Sequence, residues 1–231
     1  MNGKTKRNAR PRIHQAELSF GGRGGRREGA GRPKANPEAA SHAKRPPLSR
    51  HHPVHVTLRI ERGLPRLRRG AAFRALRASF ASGCERSGFR LVHYSVQSNH
   101  LHLLVEGDDR RALSRGLQGL AVRMARALNR LWRRTGSVFA ERYHEHVLRT
   151  PLEVRRALVY VIQNARKHGA WRKPGAVDPL SSGEWFDGWR ERASAFVSQA
   201  TSLLALARTW LLRIGWRWHE LIGLSEVPRH A

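Results

Sequence analysis

The sequence predicts an α+β fold: a ferredoxin-like antiparallel sheet with helices on one face, flanked by a disordered basic N-terminal arm and a C-terminal aromatic/basic tail. Three observations predict it. Short runs with apolar residues at every second position mark strands. Longer stretches with apolar residues three and four apart mark helices. Their order, β-α-β-β-α-β-α, suits an antiparallel or mixed sheet with packed helices. Three segments follow: an arm over 1–53, a folded unit over 54–170 and an extension over 171–231.

The arm is rich in Gly, Pro and Arg and carries 13 Lys or Arg against 3 Glu. It has too few large apolar residues to build a core. Gly29 to Lys34 reads Gly-Ala-Gly-Arg-Pro-Lys. That run resembles an AT-hook core, in which Arg lies in a narrow minor groove. Arg32 and Lys34 are therefore candidate DNA contacts, with a plain phosphate-binding tail as the other reading. His51, His52 and His55 have metal binding as one reading and, ahead of it, a solvated cluster where the arm meets the folded unit.

His55 to Ile60 alternates and forms the first predicted strand. Phe73, Leu76, Phe80 and Cys84 are spaced as one helical face, and Gly88 closes that helix. Leu91 to Glu106 is a predicted hairpin turning at Gln97-Ser98-Asn99. Asp108 and Asp109 open a long helix to about Arg134, with arginines at its end to suit the dipole. Gly136 stops it, and Val138 to Leu148 reads as a further strand. Thr150 and Pro151 cap and start a last helix, which Gly169 ends.

Net charge is +27 over 231 residues, which points to a polyanionic partner. The single cysteine, Cys84, excludes an internal disulfide framework and fits a reducing cytoplasm. No apolar stretch reaches the roughly 20 residues of a membrane span. The expected location is cytoplasmic, with nucleoid association.

Candidate chemistry centres on the hairpin. His100 and His102 are two apart on a strand, so both imidazoles project from one face while Leu101 and Leu103 project from the other. Such a pair is half of a divalent-metal site. On the last helix, Tyr160 and Asn164 are four apart and share a face. The Asn164 amide oxygen would complete a two-nitrogen, one-oxygen set for Mg²⁺ or Mn²⁺. Tyr160 would attack phosphorus, with Arg166 or Lys167 as nearby cations. Rival assignments exist: His144 and His146 repeat the spacing beside Tyr143, and Tyr94 lies in the hairpin.

Asn99-His-Leu-His-Leu103, followed by Tyr160-Val-Ile-Gln-Asn164, resembles the single-tyrosine HUH transposases, and among them the REP-associated tyrosine transposases. Val56-Thr-Leu-Arg59, Val138 to Tyr143 and Asn164 to Gly169 add to the likeness, which covers roughly 54–170. The resemblance implies that His100, His102 and Asn164 hold the metal. It implies that Tyr160 forms a 5′-phosphotyrosine on single strands that fold into hairpins, supporting DNA transposition. Arg32, Lys34, Arg166 and Lys167 would contact the DNA, and a homodimer is a further expectation. The alternative is a non-catalytic regulator that recognises folded DNA or RNA repeats.

Six of seven tryptophans lie after residue 170. Between arginines they suit either stacking on unpaired bases or pinning the tail to the core.

Overall fold

The computed structural model describes residues 45–167, 169–171, 173, 175–191 and 203–228. All of them fall within one compact unit, Ala39–Ala231. Arg32 and Lys34, with most of the basic arm, lie outside the described residues.

Five strands form one sheet: β1 Val54–Arg59, β2 Glu85–Arg86, β3 Phe89–Val96, β4 His100–Gly107 and β5 His144–Val147. They are ordered β2-β3-β4-β1-β5 and every neighbouring pair is antiparallel. Without the two-residue β2, this is the ferredoxin-like order. The hairpin turns where the polar Gln97-Ser98-Asn99 interrupts two apolar runs, and Gln97 N–H donates to His100 C=O at 2.9 Å. β4 is the central strand of the sheet.

Alternation along the strands sorts two cores. Leu101, Leu103 and Val105 of β4 join Val54, Val56 and Leu58 of β1 beneath α1 (Gly70–Ala81) and α2 (Arg110–Leu131). α2 lies close because Gly116 has no side chain; a Cβ there would sit 2.1 Å from Cγ of Phe89. On the opposite face, Leu104 and Val92 pack against α3 (Pro151–Ile162) and tail residues including Trp189, Leu211 and Trp216. The face opposite α1 and α2 is therefore covered over Val92 and Leu104.

Several boundaries differ from the sequence expectation. α1 begins at Gly70 and ends at Ala81, ahead of Cys84. Only His144–Val147 of the stretch 138–148 is a strand; Phe139 makes a single bridge to Ile60. The last helix is broken at Gln163, whose φ of −105° and ψ of 10° leave the helical range. The cause is tertiary: the Gln163 amide is buried and donates to Gly223 C=O at 3.2 Å and Leu224 C=O at 2.8 Å. A short α4, Asn164–Lys167, follows. Asn164 thus stands at the start of a new helical segment, and Tyr160 and Asn164 do not share one continuous helix face.

α3 starts as its sequence demands. Thr150 Oγ1 accepts from Glu153 N–H at 3.2 Å, Glu153 Oε2 accepts from Thr150 N–H at 3.1 Å, and Pro151 occupies the first turn. Among the described residues, no helix is long and apolar enough to cross a membrane.

Candidate functional site

His100 and His102 project from β4 on the face that α3 covers. Their ring centroids are 4.7 Å apart at 84°, and the two Nε2 atoms face each other at 3.0 Å. The outer nitrogens have separate partners. His100 Nδ1 lies 2.8 Å from Asn99 Oδ1. A carboxamide oxygen only accepts, so His100 Nδ1 carries the proton and its Nε2 presents a lone pair. His102 Nδ1 lies 3.2 Å from both Thr57 Oγ1 and His55 Nε2. Strand register explains Thr57, which is the β1 partner of His102.

His55 is half-buried and does not belong to a solvated cluster, contrary to the sequence expectation. Burial, and then the charge of His146, lowers its pKa to about 4. Near neutral pH it is an uncharged imidazole with one nitrogen able to accept the His102 Nδ1–H. In that tautomer His102 Nε2, like His100 Nε2, directs a lone pair into the space between the rings. The two Nε2 atoms face one space, an arrangement that suits a shared ion when both present lone pairs and a hydrogen bond when one of them carries the proton.

α3 brings Tyr160 to the same place. Its ring meets His102 edge-on with centroids 5.0 Å apart, and His55 with centroids 5.5 Å apart. Lys167 Nζ lies 5.3 Å from the centre of the Tyr160 ring. Asn164 is fully buried, and neither its amide oxygen nor its amide nitrogen has a hydrogen-bond partner. Leaving such a group unsatisfied costs about 1–3 kcal/mol, which marks it as a side chain kept for something other than packing.

The other candidates lie elsewhere. Tyr94 is fully buried, packs 4.5 Å from the Phe80 ring, and burial raises its pKa well above the usual phenol value. Tyr143 packs with the α1–α2 core beneath Arg45, whose guanidinium carbon lies 3.7 Å from the ring centre. His144 and His146 are exposed on the edge strand β5, and His144 Nε2 lies 3.1 Å from Glu141 Oε1. Their register opposite Thr57 and His55 puts them on the same sheet face as the central pair, displaced towards the edge. Arg166 is committed to the chain itself: its guanidinium donates to Gln163 Oε1 at 3.1 Å, to Lys173 C=O at 2.9 Å and to Ala176 C=O.

A groove of about 1400 Å³ opens beside Tyr160, lined also by His55, His146, Arg156, Lys167 and His219. His55 and Thr57 went unrecognised as site residues in the sequence. The alternation of β1 puts His55, Thr57 and Arg59 on one face, but nothing local sets that face beside His102.

Residues 51–157 match the family model described as Transposase IS200 like. Over that stretch the chain is similar to the IS200-like transposases. The IS200-like match takes in His55, Thr57, His100 and His102 and stops short of Tyr160. The fold is similar to a solved REP-associated tyrosine transposase bound to a REP hairpin. The TM-score is 0.50 at 14% identity, over 73% of this chain and 93% of that chain. At that identity the likeness speaks for the fold. No curated protein sequence matches the chain.

Proposed function

We propose that this chain is an IS200-like transposase, a metal-dependent single-strand DNA endonuclease and strand transferase with Tyr160 as nucleophile, acting on hairpin-forming repeats. The observation that carries the reading is the placement of the Tyr160 ring edge-on to His102, 5.0 Å between centroids, beside the facing His100 and His102 nitrogens. The other two tyrosines, Tyr94 and Tyr143, pack with the α1–α2 core.

His100 Nε2, His102 Nε2 and Asn164 Oδ1 would hold Mg²⁺ or Mn²⁺. Among the described residues no three His, Cys, Asp or Glu side chains gather around one point. A third protein donor is therefore an amide or hydroxyl, and the unpartnered buried oxygen of Asn164 fits. The ion supplies Lewis-acid polarisation of the scissile phosphate and offsets charge developing on its oxygens. His55 and Thr57 orient His102 through its Nδ1–H. Lys167, with its Nζ 5.3 Å from the centre of the Tyr160 ring, would meet the phosphates of the bound strand.

The Tyr160 oxygen forms a bond to phosphorus as the bond to the 3′ oxygen breaks. The phenol loses a proton and the departing oxygen gains one. The product is a 5′-phosphotyrosine and a free 3′-hydroxyl. Because one phosphodiester replaces another, the step reverses onto a second DNA end without a nucleotide cofactor.

Incubation of the protein with a labelled hairpin oligonucleotide and Mn²⁺ is expected to yield a covalent adduct on a denaturing gel. Tyr160→Phe removes the adduct and Tyr143→Phe retains it. An adduct that survives Tyr160→Phe overturns the assignment. Wild-type cellular function in the Tyr160→Phe protein would leave the binding-regulator reading instead.

A further inference from the structure

Among the described residues, four of the eight exposed large apolar side chains lie in one short stretch of the tail. Leu206, Trp210, Ile214 and Trp218 are 81%, 46%, 49% and 71% exposed. The stretch is anchored, so this exposure is a feature of a fixed surface. Leu211, Leu212 and Trp216 sit in the core that includes α3. Thr209 caps α5 (Trp210–Arg213) by accepting from Leu212 N–H at 3.3 Å. The buried Glu106 accepts from Thr209 N–H at 2.8 Å and Arg208 N–H at 2.9 Å, and pairs with Arg90 at 2.9 Å.

Within this frame the tryptophans divide. Trp216 is buried and stacks near Phe186, 5.4 Å between centroids. Trp210 and Trp218 meet edge to face at 4.9 Å and 75° and turn outward. Gly215 lets the Trp210 ring seat against the backbone; a Cβ there would lie 2.5 Å from it.

Charge identifies what such a surface receives. Residues 203–219 contain Arg208, Arg213 and Arg217 and no Asp or Glu; Arg208 pairs with Glu85 at 2.8 Å and Arg217 with Asp187 at 2.8 Å, and Arg213 has no ion pair among the described residues. His219, next to Trp218, lines the groove that also contains Tyr160, Arg156 and Lys167. Carboxylates of that groove are engaged: Glu226 with Arg155 at 2.8 Å, Glu220 with Arg190 at 3.2 Å, and Glu191 with Leu224 N–H at 2.8 Å. Among the described residues, Arg156 and Lys167 have no ion pair. Lys167 lies beside Tyr160, and His219, next to Trp218, brings the tail to the same groove. A membrane-surface helix would require a longer amphipathic element than the four residues of α5.

We propose that Trp210 and Trp218 form a stacking platform for unpaired bases on the flank of the DNA hairpin, leading the strand towards Tyr160. Every base presents a π-face, so the platform takes single strands with little sequence preference. The inference rests on the DNA-cleaving reading for its location, and its test reads binding apart from cleavage.

The test uses full-length Tyr160→Phe protein, titrated with a blunt hairpin and with the same hairpin bearing a short unpaired flank. The flank is expected to tighten binding and to quench tryptophan emission. Adding Trp210→Ala and Trp218→Ala should weaken the flanked hairpin by about tenfold or more and leave the blunt one unchanged. Trp218→Tyr should keep most of the gain and Trp218→Leu should lose it, which separates stacking from general apolarity. Equal affinities of the double variant and its parent for the flanked hairpin overturn the proposal. So does an unchanged flank response accompanied by loss of binding to phosphatidylglycerol vesicles, or by conversion of a dimer to a monomer. If quenching persists while wild-type protein forms no adduct, the platform stands and the cleavage reading falls. An adduct with no flank effect keeps the cleavage reading and overturns the platform.

Discussion

His55 links two parts of the candidate site: its Nε2 lies 3.2 Å from His102 Nδ1 and its ring lies 5.5 Å from that of Tyr160. Removing such a partner typically costs a metal ligand about 10- to 100-fold in affinity. His55→Leu is therefore expected to weaken Mn²⁺ binding by that factor, measured by calorimetry on metal-free protein. His55→Gln, whose side-chain oxygen can still accept from His102, should recover part of it. His100→Ala should weaken the ion more strongly and leave hairpin affinity nearly intact. Chelation with EDTA should stop adduct formation, and added Mn²⁺ should restore it. The His100–His102 pair was legible because alternation on a strand is a local rule. His55 was not, because its role depends on β1 lying beside β4 in one register.

α3 carries Tyr160, so its start governs where the ring sits. Thr150→Ala removes one half of the capping box and is expected to cost about 1 kcal/mol, a fall in Tm of about 2–4 °C. Glu153 adds a pH dependence. The Arg149 N–H and then the Thr150 N–H hold its carboxyl below the usual carboxylate range. A depressed folded value means the stabilisation is complete above the unfolded pKa of about 4.3. It is lost as pH falls through the lower folded value. Glu153→Gln should therefore flatten the acid side of the stability profile, followed by thermal melts across pH. In α2, Gly116→Ala would drive a methyl into the Phe89 ring and is expected to destabilise by about 1–3 kcal/mol. Element starts were readable because caps and turns are chosen by adjacent residues. The break at Gln163 was not, since its amide bonds to carbonyls of Gly223 and Leu224 far along the chain.

At the level of the whole molecule, a net charge of +27 makes DNA binding an electrostatic event. Affinity for a hairpin is expected to fall about a hundredfold or more between about 50 and 200 mM salt, measured by anisotropy. The tail is joined to the sheet by the second core and by Glu106, which ties β4 to residues 208 and 209.

By itself, the sequence determined the strand and helix types, the antiparallel α+β class, the cationic character and the resemblance to a transposase family. Each rests on periodicity, composition or short motifs, which are properties of neighbouring residues. Only the tertiary structure decided that α3 and the tail cover the site-bearing face, that His55 reaches His102, that Gln163 breaks the last helix, and that two indoles remain outside. Those outcomes follow from register and from packing between segments distant in the chain, where each buried polar group must find its partner in space.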